Sequence, residues 1–204
     1  MARANFQFNG FQYYGSVYAG VNMNTVQKQV ATGYATAIFS GDPVKKLSDG
    51  SVVIAAAGSD PIYGIVTACH YRDVNGNLVD RNYVPASTAY TVDRLRTVVD
   101  VIPCYPGVWF KVTTNLAPAT PTVVFARTLV DFNADHVATA AGDLITGRSG
   151  YQLAIAGAAT TAKQWRLVMP LPDPSIDLTA PNATWVVECN NSQNLPGVFS
   201  TTGI

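Results

Sequence analysis

Few groups in this chain are suited to nucleophilic or acid–base chemistry: His70, His136, Cys69, Cys104, Cys189, and Ser149 within Gly147-Arg148-Ser149-Gly150. Neighbouring side chains on a strand leave opposite faces, so Cys69 and His70 cannot by themselves act as nucleophile and base. Either would need His136 or an aspartate brought in from far along the chain, and a surface or core histidine is the plainer reading. The Ser149 run lacks the full Gly-x-Ser-x-Gly of a nucleophile elbow and no strand-to-helix context follows it, so it reads as a hairpin turn. No Cys-x-x-Cys spacing offers a zinc site. Asp73-x-Asn75-x-Asn77 opens like a calcium loop, but Gly76 comes too early and no Glu closes it. At most it offers a weak surface cation site. No glycine-rich phosphate loop is present. The expectation is a protein that is not an enzyme, with no catalytic residues, no cofactor and no metal.

The elements that must position these groups are short and β-like. Residues 38–68 contain Val- and Ile-rich runs divided by Gly41-Asp42-Pro43, Ser48-Asp49-Gly50 and Gly58-Ser59-Asp60-Pro61. Asp-Gly supplies the positive φ of a tight turn, and Pro61 pre-sets φ for another. Three or four short antiparallel strands follow from this pattern. Asn75-Gly76 between Val74 and Leu78-Val79 predicts a projecting hairpin. Arg72, Asp73, Asp80 and Arg81 are placed to pair across it. Further strands are expected at 97–102, 108–113, 122–131 and 184–189. Short helical turns are expected at 24–30 and 135–141. Residues 170–174, Pro-Leu-Pro-Asp-Pro, read as a stiff link.

Composition agrees. Among 204 residues, 48% are hydrophobic and only 13% charged, with twelve Asp but a single Glu, Glu188, and five Lys. Asp favours turns whereas Glu and Lys favour helix interiors, so the balance points to an all-β chain. The formal net charge is zero and no basic run exceeds Lys45-Lys46. Binding DNA phosphates needs a basic surface, so nucleic acid is not an expected partner. Little self-repulsion favours association instead. The cysteines are odd in number with no close pair in sequence, which predicts buried free thiols. Neither a signal peptide nor an apolar run of bilayer length appears, so a protein made in the cytoplasm with no membrane partner is expected.

The ends differ from the middle. Residues 1–33 interleave Phe6, Phe8, Phe11, Tyr13, Tyr14 and Tyr18 with Asn, Gln and Gly. These six are the candidate partner-binding residues, carried on an extended arm, because aromatics supply much of the energy of interfaces. The alternative is a first strand packed on the chain's own core. Residues 34–189 form the β domain, and 190–204 read as a tail. One echo crosses the domain. Gly142-Asp143-Leu144-Ile145 and Ile155-Ala156-Gly157-Ala158 match Gly41-Asp42-Pro43-Val44 and Ile54-Ala55-Ala56-Ala57 at one constant offset. It is either a coincidence of common residues or the trace of two related β units, about 34–115 and 122–189.

Gly41-Asp42-Pro43-Val44, Val52-Val53-Ile54-Ala55-Ala56 and Tyr63-Gly64-Ile65-Val66 together resemble the small β-rich decoration (cement) proteins of tailed-bacteriophage capsids. The resemblance covers about thirty residues and consists of turn chemistry. It implies a non-enzymatic virion protein on the capsid surface, a homotrimer, bound across neighbouring subunits of the major capsid protein. A head-fibre or tail component is the alternative, and a hydrolase on a β scaffold the contrasting class. The expected fold is a compact β-barrel or β-sandwich of short antiparallel strands, with at most one or two short helices.

Overall fold

The computed structural model describes residues 10–17, 24–86 and 97–194. In chain order its first strands are β1 (Gln12–Ser16), β2 (Val26–Gln29), β3 (Ile38–Phe39), β4 (Pro43–Lys46), β5 (Val52–Ile54), β6 (Gly64–Arg72), β7 (Leu78–Arg81) and β8 (Tyr83–Val84). Then come β9 (Val98–Pro103), β10 (Val108–Thr113), β11 (Asn133–Ala134), β12 (His136–Ala138), β13 (Tyr151–Leu153), β14 (Trp165–Pro170) and β15 (Thr184–Cys189). Two antiparallel sheets dominate. One runs β1-β10-β15-β14-β11; the other runs β2-β9-β6-β4-β5, with β7 extending β6. Small ribbons, β3-β8 and β12-β13, flank them. The fold is all-β, and no closed barrel forms among the described residues.

Alternation builds the core. In β10, Val108, Phe110 and Val112 are buried while Trp109 and Lys111 are half-exposed, the period of a strand with one covered face. Phe110, Trp165, Leu167, Trp185 and Val187 of the first sheet share one apolar cluster with Ile65 and Ile102 of the second and with Ile62 just before it. A second cluster lies on β-branched residues of the other sheet, with Val44, Val66, Val99 and Val101 meeting Ile38 and Val84 of the β3-β8 ribbon. The chain is thus layered, with β6 and β9 supplying residues to both cores.

Turn chemistry sets the connections. Gly50 takes φ 86° where Asp49-Gly50 joins β4 to β5, and the Asp49 carboxylate accepts the Ser51 N–H. Gly10 and Gly41 both have positive φ and lie against each other, so a Cβ built on Gly41 would sit 2.9 Å from the Gly10 Cα. Only glycine allows the Phe11 N–H to reach the Gly41 carbonyl there, at 3.0 Å.

Several expectations are corrected. Residues 24–30 hold β2, paired along β9, not a helical turn. Residues 122–131 hold a helix, α1 (Val123–Thr128), not a strand; Thr122 caps it by accepting the Phe125 N–H. Residues 135–141 hold β12, paired with β13, not a helix. Tertiary pairing outweighed weak local preference in each strand case. The described part of 1–33 is no free arm, since β1 and β2 sit in the two sheets. The described part of 190–204 is docked as well. The Gln193 side chain accepts the Lys46 N–H at 2.6 Å and donates to the Lys46 carbonyl at 3.0 Å. Along the echo Asp42 is buried and Asp143 exposed, and Ile54 ends a strand where Ile155 opens a 3-10 turn.

Candidate interaction surface

The aromatic opening of the chain divides between core and surface. Phe11 is 2% exposed and stacks on Trp165, ring centroids 4.3 Å apart and planes 21° apart. It belongs to this protein's own core and is withdrawn as a partner-binding residue. The close approach of Gly10 to Gly41 turns the backbone so that Phe11 enters the cluster. Tyr13 and Tyr14 lie outside, each 38% exposed. Among the described residues β1 pairs with β10 on one side only, and the register slips between Tyr13 and Gly15, leaving a bulge at Tyr14. Bulges of this kind blunt a sheet edge and re-aim side chains. Phe6, Phe8 and Tyr18 lie outside the described residues.

Two further apolar tips stand out, one in the projecting hairpin expected at Asn75-Gly76 and one, at 143–148, that sequence reasoning missed. At residues 143–148 the Asp143 carboxylate accepts the Ile145 N–H at 2.8 Å and the Thr146 hydroxyl at 2.6 Å. The Asp143 N–H and C=O bond the Arg148 C=O and the Gly147 N–H. This turn is braced internally, yet it holds Leu144 57% and Ile145 95% exposed. The β6–β7 hairpin is built alike. The Asp73 carboxylate accepts the N–H groups of Asn75 and Asn77 and the Asn77 amide, and exposed Val74 and Leu78 flank the loop. The carboxylate suspected of opening a cation site therefore caps its own turn. No group of three or more His, Cys, Asp or Glu able to hold a metal occurs among the described residues. The turn residues were legible; that their apolar neighbours face water was not.

The groups able to do chemistry are dispersed. His70 sits between two carboxylates, Nδ1 2.7 Å from Asp80 and Nε2 3.2 Å from Asp100. Hydrogen bonding to Asp80, then Asp100, holds its pKa above the ordinary value. Across the hairpin, Asp80 thus pairs with His70. Arg72 donates to the Gly76 carbonyl and Arg81 to the Tyr83 hydroxyl. Cys69 is buried on the opposite face, where desolvation pushes its thiol up. His136 is also buried. Its Nε2 meets the Ala55 carbonyl at 3.0 Å, and its Nδ1 accepts from Trp165 Nε1 at 3.3 Å. That set of partners assigns the neutral Nε2–H tautomer, and burial lowers its pKa.

Ser149 is fully buried and accepts the Tyr151 N–H. Its titratable neighbour is Asp42, not a histidine. Burial raises the Asp42 pKa from 3.8 to about 7, against the opposing pull of Ser149 and of the Phe39 N–H. Oδ2 accepts that N–H at 2.8 Å, while Oδ1 has no hydrogen-bond partner. Burial favours the neutral acid, whose hydroxyl can donate to the Ser149 oxygen. A cleft of about 570 Å³ between α1 and residues 169–178 contains Arg127, Asp173 and Asp177. Both of its carboxylates cap turns, at Ser175 and Thr179. None of these groups converges on another as nucleophile, base and orienter do in an active site.

Gln164 was also missed. Its amide donates to the Ala56 and Asp60 carbonyls and accepts the Gly58 N–H, all at 2.8 Å, which fixes the 56–60 loop against the first sheet. No helix among the described residues is long and apolar enough to cross a membrane. No protein family, curated protein or solved structure matches this chain.

Proposed function

We propose that this chain is a non-enzymatic structural protein of a virion, a decoration protein that adheres to the capsid surface across neighbouring subunits of the major capsid protein. The observation that carries the reading is the braced turn at 143–148. An apolar pair held in water on a backbone that needs no further ordering is suited to burial against a partner. Burying a side chain such as Ile145 contributes about 2–3 kcal/mol. Tyr13 and Tyr14 on the sheet edge, and Val74 and Leu78 on the hairpin, extend the same chemistry. The near-neutral charge adds little repulsion between copies.

The mechanism is linkage. A copy that touches two shell subunits binds the assembled state and not the separated one, so its binding free energy opposes their separation. A homotrimer would join three such sets of contacts and raise avidity. The Gly41–Val44, Val52–Ala56 and Tyr63–Val66 segments that carry the cement-protein resemblance lie in and around β4, β5 and β6.

The test is cosedimentation with empty shells of the virus concerned, beside sizing by light scattering. Saturable binding by a trimer is expected. A chain that stays in the supernatant at every concentration removes the reading.

A further inference from the structure

The C-terminal end of β6 lies between β7 and β9, and His70 stands where the three strands meet. It is directly opposite Asp80 of β7 and diagonal to Asp100 of β9, which is in register with Ala68. Both ring nitrogens are engaged. Nδ1 lies 2.7 Å from Asp80 Oδ1, and Nε2 lies 3.2 Å from Asp100 Oδ2. Ionised carboxylates only accept hydrogen bonds, and a neutral imidazole carries one N–H. The neutral ring can therefore serve one of these partners. Only the imidazolium donates to both, so the bridge across three strands belongs to the protonated ring.

The other charged groups of these strands turn to other partners. On β6 Arg72 donates to the Gly76 carbonyl, and beside Asp80 on β7 Arg81 donates to the Tyr83 hydroxyl. On β2, which flanks β9, the residue opposite Asp100 is the neutral Gln27, and Lys28 lies over the Tyr63 ring. The charges that act on His70 are those of Asp80 and Asp100. These two carboxylates are unequal. The Asp80 side chain is 82% exposed and that of Asp100 20%, and Asp100 Oδ1 already has no hydrogen-bond partner. Water can replace the ring at Asp80, whereas a second orphaned oxygen on Asp100 would be costly. On deprotonation the remaining proton therefore stays on Nε2, facing Asp100. The Nδ1 lone pair is left against the Asp80 carboxylate, a contact between two acceptors.

We propose that His70 is a pH-sensitive latch: protonated, it fastens the β6–β7 hairpin to β9 through Asp80 and Asp100, and on losing its proton it releases Asp80 and loosens β7. The backbone ladder between β6 and β7 persists in both states, so the change is in how often β7 opens. Hydrogen bonding to Asp80, against the opposing effect of burial and with further support from Asp100, holds the folded pKa above the ordinary 6.5. The latch is therefore fully engaged below 6.5 and is lost as pH rises through the folded pKa. β7 carries the chain away from the apolar hairpin tip, so the latch sets how firmly exposed Val74 and Leu78 are held. It does so whatever those side chains touch.

The experiment follows the full-length chain by NMR. The His70 ring is titrated between about pH 5 and pH 9. Amide exchange of Leu78–Arg81 is measured over the same range and corrected for the intrinsic pH dependence of exchange. His70 is expected to titrate above 6.5. Opening of β7 is expected to rise across that titration, by roughly tenfold for every unit by which the His70 pKa is raised. Asp80→Asn lowers the His70 pKa, and His70→Gln removes the step in exchange. The wild-type titration needs no variant to fold. A His70 pKa at or below 6.5, β7 opening that ignores pH, or a step that persists in His70→Gln would each overturn the proposal.

Discussion

Phe11 lies flat against Trp165, and the Trp165 indole N–H in turn bonds His136, whose other nitrogen meets the Ala55 carbonyl beyond β5. One residue from the opening segment therefore locks onto a polar link that ties the two sheets. Phe11→Ala should destabilise the fold by about 3–5 kcal/mol, as large-to-small changes of buried aromatics do. Tyr13→Ser and Tyr14→Ser should each cost far less, about 1 kcal/mol, since both side chains keep more than a third of their surface in water. Urea unfolding of the three variants checks this ordering. Removing residues 2–20 strips β1 and this ring together, and should unfold the first sheet rather than merely weaken binding.

Asp42 gives a pH dependence of unusual sign. Its folded pKa, about 7, lies above its ordinary 3.8. Its contribution to stability is present below 3.8 and is lost as pH rises toward 7. Asp42→Asn keeps the acceptor for the Phe39 N–H and removes the buried charge. Relative to wild type it should gain on the order of 3 kcal/mol between pH 4 and pH 8. Thermal midpoints of both proteins across that range test it; parallel curves would mean that Asp42 is not buried as an acid.

His136 acts in the opposite direction. Burial lowers its pKa below the ordinary 6.5. Its contribution is present above that value and is lost as pH falls through the folded pKa. The neutral ring accepts the Trp165 N–H at Nδ1, and a proton there would face a donor. His136→Asn should be less stable than wild type at pH 7.5, by about 2 kcal/mol, with the gap narrowing toward pH 5. A gap that widens in acid would contradict the assigned tautomer.

Much of this fold was legible because turns and β-branched runs dictate local geometry. Asp49-Gly50 and Asn75-Gly76 mark hairpins that exist, and the alternation of Val108–Thr113 marks the strand that it forms. The errors fell where the local signal was weak and a distant partner decided. Val26–Gln29 became a strand because β9 lies beside it; Val123–Thr128 is the exception, a helix set by its local cap, Thr122. The site was less legible than the fold. Phe11 and Tyr13 look alike in sequence, and only the Gly10–Gly41 approach sends one inward. Ile145 sits in a turn of ordinary composition, and its exposure depends on how that turn packs.

Ile145 separates adhesion from folding. Ile145→Asp changes a side chain almost entirely in water, so its effect on unfolding should stay within about 0.5 kcal/mol. Its effect on shell binding should exceed about 2 kcal/mol, a thirtyfold or greater loss of affinity. Binding isotherms and urea curves for the same preparation check both halves; unchanged affinity would move the contact away from this turn.

The most direct measurement of the adhesion account is the temperature at which empty shells rupture, with and without saturating protein. Rupture at a distinctly higher temperature with protein bound, and at the bare-shell temperature with Ile145→Asp, is the predicted result. Equal rupture temperatures for bare and saturated shells would contradict it.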